Sequence, residues 1–137
     1  MISSQERYEG IQTILERCGK TGCLFLCLLS IVEEVNKNPV DLIAVIRFCR
    51  SKGWIDNDFY VRDSLAILCH YTGKVWTRRE VTKLPSITEC DYTIVNWRND
   101  RTGLVHRRRR LYDTLENSVT VKEGYVFSYY IYSWEAA

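Results

Sequence analysis

The sequence lacks most of the features that would name a function at sight. Its charges nearly cancel, 19 lysines and arginines against 17 acids for a net charge of +2. No global field therefore draws it to nucleic acid or to a membrane. Its longest apolar stretch, residues 23–32, is too short to span a bilayer and is broken by Ser30. The opening residues Met1-Ile2-Ser3-Ser4-Gln5-Glu6-Arg7 are polar and soon acidic, so no signal peptide is expected. The cysteines never form a Cys-x-x-Cys pair, and Cys69 and His70, as neighbours on a helix, face different ways. No metal site and no cofactor are expected from such a pattern. Gly19-Lys20-Thr21 has Ile14 where a phosphate-binding loop needs its earlier glycine, and it follows a helix rather than a strand, which excludes nucleotide binding there.

What remains describes an ordinary domain. A chain of 137 residues, 46% hydrophobic and 26% charged, can bury roughly two-thirds of its unfolded surface in a single core. Its six cysteines stand at 18, 23, 27, 49, 69 and 90, four of them inside apolar helix-like segments. Free cysteine packs there as a small hydrophobe, so reduced thiols in a soluble, cytoplasmic protein without membrane contact are expected.

The first half carries helical spacing. Ser3-x-x-Glu6 is a capping-box pattern followed by Tyr8, Ile11, Leu15 and Cys18. After Gly19–Gly22, a second helix is predicted over residues 23–36, apolar nearly all round at first and so central to the core. Asn38-Pro39 predicts the start of a third helix ending at Gly53, and Asp63 the entry to a fourth over 64–71, stopped by Gly73. The second half changes period. Residues 74–77, 92–97, 104–112 and 125–134 alternate and are rich in Val, Ile, Tyr and Trp, with a turn at 99–103 and a short strand or turn over 117–124. Helices first and antiparallel strands afterwards predict one α+β domain.

Two features invite a functional reading. Cys23 follows Gly22 and opens the apolar helix, where unpaired backbone N–H groups favour a thiolate. Buried packing is the plainer role for such a residue. The second feature is the arginine-rich stretch Arg98, Arg101, Arg107, Arg108, Arg109 and Arg110. On a strand, Arg107 and Arg109 face one side and Arg108 and Arg110 the other, as expected of an edge strand. Edge charge protects against strand-to-strand aggregation. Four consecutive arginines exceed that need and point to an acidic protein surface or nucleic acid.

Gly22-Cys23-Leu24-Phe25-Leu26 resembles the start of the central helix in papain-like cysteine peptidases. The similarity is to the bacteriocin-processing type and to small papain-like proteins of bacterial and phage genomes. Tyr112-Asp113-Thr114-Leu115, continued by Asn117–Val121, looks like the element that supplies the acid. The strand that should open with the catalytic histidine instead reads Cys90-Asp91-Tyr92-Thr93-Ile94-Val95, placing Asp91 there. Arg17 and Cys18 occupy the neighbourhood of the expected oxyanion glutamine. With the hairpin centred near Arg101, His106 falls opposite Asn96 and roughly 17 Å along the ladder from the required end, at ~3.4 Å per residue. The resemblance thus implies a papain-like fold with remnant positions Cys23, Asp91 and Asp113 and no activity. Such a protein would act as a binding module through its arginine hairpin, one fitting setting being a phage-borne inhibitor of a host defence system. The alternative is an active thiol peptidase or acyltransferase with Cys23 as nucleophile and Asp91 or His70 as base. Aspartate, with a pKa near 3.9, is a weak base for a thiol near 8.5.

Overall fold

A computed structural model describes residues 23–109 and 124–135. The expected first helix, Arg110, Asp113 and the 117–123 segment lie outside the described residues. Helix α1 (Cys23–Asn36) has the predicted limits, and Phe25 through Val32 are buried without a gap. A helix apolar on every side can only sit inside the core.

Helix α2 (Leu42–Ser51) begins later than Asn38-Pro39 implied. The Glu33 carboxylate accepts the Val40 N–H at 2.7 Å, and Asp41, in extended geometry, accepts the Ala44 N–H at 3.2 Å. A carboxylate three residues before a free N–H is the stronger cap, so the helix starts there. Gly53, at φ +73°, follows its C-cap Lys52. Helix α3 (Ser64–Thr72) is capped by Asp63 and closed by Gly73 in the left-handed region, as its sequence predicts. Helix α2 packs on α3 through Phe48, which lies 4.6 Å from the His70 ring, while Cys49 hydrogen-bonds Tyr71.

Strands β1 (Trp76–Val81), β2 (Asp91–Arg98), β3 (Val105–Arg109) and β4 (Tyr125–Trp134) form an antiparallel sheet in the order β1-β4-β2-β3. The described chain is therefore α+β. Strand β1 begins two residues after the expected start at 74 and runs to Val81. At the β2–β3 turn the Asn99 side chain accepts the N–H groups of Arg101 and Thr102, and Gly103 takes φ +73°. That loop sets Trp97 against His106, one residue away from the expected register.

Side chains opposite one another across a sheet share a face. Trp76, Tyr92, Ile94, Asn96, Arg98, Arg107, Arg109, Tyr130 and Tyr132 therefore lie on one face. That face receives the helices: Trp76, Ile94 and Tyr132 join Leu26, Leu29, Ile67 and Leu68 in the core. The Tyr132 hydroxyl bonds Ser64 Oγ at 3.0 Å, tying β4 to the start of α3. A bulge between Asn96 and Trp97 leaves Phe127 as the extra residue of β4 and directs its ring to this same face.

Candidate functional site

Cys23 is buried at the first turn of α1. The direction of α1 decides what it can meet. Cys27 Sγ lies 3.6 Å from the Arg107 carbonyl, Ser30 Oγ accepts from Arg109 Nη1 at 3.0 Å, and Glu34 holds Arg109 Nη2 at 2.5 Å. The helix thus runs alongside β3 in the same sense. Because β2 is antiparallel to β3 with Ile94 opposite Arg109, Asp91 lies beyond Arg109, near Glu34. Glu34 is eleven residues from Cys23, about 16 Å of helix. A thiol and its base must approach to about 3 Å. The structure therefore corrects the pairing of Cys23 with Asp91: they occupy opposite ends of α1.

Neither histidine replaces Asp91. His106 alternates with Arg107 and so points to the sheet face away from α1, where it is only 3% exposed. His70 is stacked on Phe48, edge-on to Tyr71 at 4.7 Å and 5.6 Å from Trp54. It serves as one ring of an aromatic cluster. Asp91 is itself tied down, accepting from Ser133 Oγ at 2.5 Å and from Thr88 N at 2.8 Å. Those bonds, helped by Arg79, hold its carboxyl below the usual range and make it a still weaker base.

Asp91 instead lines an open cleft of about 450 Å³ with Glu34, Ile87, Glu89, Tyr92, Thr93 and Arg109. Three carboxylates face a single guanidinium that Glu34 already holds, so the cleft does not suit an anion. Thr93 Oγ1 and Arg109 Nε have no hydrogen-bond partner and are closed off from solvent. Among the described residues no group of three His, Cys, Asp or Glu converges to hold a metal.

The arginines divide into two kinds. Arg109 is 8% exposed and belongs to the interior, bonded to Ser30 and Glu34 with its guanidinium 5.7 Å from the Tyr92 ring. That overturns its expected place on a free binding surface: the first polar residue of α1's apolar run and an acid one turn later receive it. Arg107 is half-buried and donates to Asn96, whose Nδ2 donates to Ser128 Oγ at 2.9 Å. Ser128 in turn donates to Glu80, completing a polar chain across all four strands. Asn96 sits in step with Tyr92 and Ile94, and that polar interruption of an apolar alternation was the available signal for this chain.

Arg98 and Arg101 are exposed at the end of the hairpin, and Arg108 is half-buried on the opposite face from Arg107 and Arg109. Around Arg98 and Arg101 lie Leu104, 60% exposed, Val105, and Tyr125, 45% exposed. Val105 and Tyr125 flank Arg98 directly across the sheet, and the Arg98 guanidinium covers the Phe127 ring at 4.6 Å. The Tyr125 hydroxyl lies 3.1 Å from Asp100 Oδ1, which orients its ring at the tip. Arg107 and Arg78 likewise cover the Tyr130 ring at 4.9 and 4.8 Å.

The class that fold and surface define is an α+β domain with a basic, aromatic hairpin end. Compared with protein-family models, with curated proteins and with solved structures, the chain matches none of them. No helix among the described residues is long and apolar enough to cross a membrane.

Proposed function

We propose that this chain is a non-catalytic binding domain that engages an acidic macromolecule through the exposed end of its β2–β3 hairpin. The observation that carries this reading is the grouping of exposed Arg98 and Arg101 with exposed Leu104, Val105 and Tyr125 at one end of the sheet. Guanidinium groups set among exposed apolar and aromatic side chains supply both charge and desolvated area, the combination that anchors recognition surfaces. Of the family resemblance, the reading keeps the order of helices before an antiparallel sheet and a packing role for Cys23.

The test is retention on an anionic heparin matrix. The intact chain binds and elutes with salt, and the double variant Arg98→Ser/Arg101→Ser elutes at clearly lower salt with an unchanged thermal midpoint. Equal elution of the two proteins would remove the hairpin end from the proposal. Replacing Arg107 to Arg110 together would confound the result, because Arg109 is part of the core.

A further inference from the structure

Resting on the binding reading above, we infer that the partner is a single-stranded nucleic acid, laid across the basic-aromatic sheet face rather than held by the hairpin alone. The observation is the repeated pairing of guanidinium and ring on the part of the helix-bearing face that the helices leave open, where Arg78, Arg98 and Tyr125 are exposed while Trp76, Ile94 and Tyr132 are buried beneath the helices. Arg98 covers Phe127 at 4.6 Å, and Arg78 and Arg107 both cover Tyr130, at 4.8 and 4.9 Å. Tyr125 extends the row at the hairpin end.

This arrangement does two things that an acidic protein surface does not require. A guanidinium held over a ring can present its outer plane to a base, and the exposed Arg78 and Arg98 can turn an N–H edge to a phosphate. The alternation of positive charge and π-surface then follows the alternation of phosphate and base along a strand. The bulge is what makes the row possible, since it returns Phe127 to the same face as Ser128 and Tyr130. Tyr125 and Tyr130 stand opposite Arg98 and Ile94, four residues apart on β2, about 14 Å of strand and on the order of four bases at ~3.4 Å each. Arg78 and Arg98, both exposed, bracket the half-buried Arg107 and Tyr130 between them. Stacking is closed to a duplex, whose base faces are occupied.

The experiment compares three probes by fluorescence anisotropy at one salt concentration: deca-thymidylate, a ten-base-pair duplex and a deca-glutamate peptide. Deca-thymidylate is expected to bind tightest. Tyr125→Ala, at an exposed position, should weaken it roughly 5- to 100-fold, a larger loss than the duplex or the peptide shows. Arg98→Lys, which keeps the charge and loses the plane, should also weaken deca-thymidylate, and by more than it weakens deca-glutamate. Circular dichroism melts of each variant confirm the fold. Equal affinity for all three probes, or indifference of deca-thymidylate to Tyr125→Ala and Arg98→Lys, overturns the single-strand inference while leaving an acidic partner in place. Failure to bind any of the three overturns both.

Discussion

Arg109→Ala should destabilise the fold, although the sequence presents Arg109 as one of four equivalent arginines. Its side chain is 7% exposed and makes charge-assisted bonds to Ser30 and Glu34. Two such bonds are worth roughly 3–6 kcal/mol gross. Two effects reduce that figure. Removing the guanidinium also removes its own desolvation cost, and Glu34, 45% exposed, recovers water when the partner is gone. A net loss of about 2–3 kcal/mol results, equivalent to roughly 8–10 °C in thermal midpoint for a domain of this size. Arg101→Ala, on the exposed turn, should stay within about 0.5 kcal/mol. Urea unfolding and calorimetry measure both. A double-mutant cycle with Glu34→Ala should show positive coupling, since the two groups touch. If Arg109→Ala and Arg101→Ala unfold within a degree or two of each other, Arg109 is not a core residue and the placement of α1 along β3 is wrong.

Other consequences can be checked on the same material. In native protein at pH 8, iodoacetamide followed by mass spectrometry should label the half-buried Cys69 and Cys90 before the buried Cys23, Cys27 and Cys49. Cys49, whose burial pushes its thiol up to about 11, should react last. Rapid labelling of Cys23 would restore a reactive-thiol reading. Asp91 titrates below its ordinary value because of Ser133 and Thr88, so its stabilisation is present above the unfolded value near 3.9 and is lost as pH falls through the folded one. Asp91→Asn should therefore be less stable than the parent at pH 7, the difference beginning to close only as pH falls below about 4. A pH-independent difference would show that the carboxylate's bonds do not matter.

The parts of the fold that were legible in the sequence are those where one local signal has no competitor. Residues 23–32 are apolar nearly all round, and residues 125–134 are β-branched or aromatic except for Ser128 and Ser133, so α1 and β4 have the limits expected of them. The start of α2 was misplaced because two cap signals, Asn38-Pro39 and Asp41, stand three residues apart and a distant acid, Glu33, arbitrates between them. The candidate site was less legible for a related reason. The turn chemistry placed β2 against β3 to within one residue, but nothing in the sequence states which way α1 runs across them. That direction separates Cys23 from Asp91 and buries Arg109 while Arg98 and Arg101 stay outside. Partners 75 and 79 residues away make the arginines unequal.

The most direct measurement is an NMR titration of the ¹⁵N-labelled chain with deca-thymidylate. Shifts confined to Arg98–Val105, to the Tyr125–Tyr130 stretch and to Arg78 are expected, growing smoothly with ligand and shrinking as salt is added. Shifts gathered instead at the first turn of α1 around Cys23, or no shifts at any ratio, would contradict a binding domain built on its basic and aromatic sheet face.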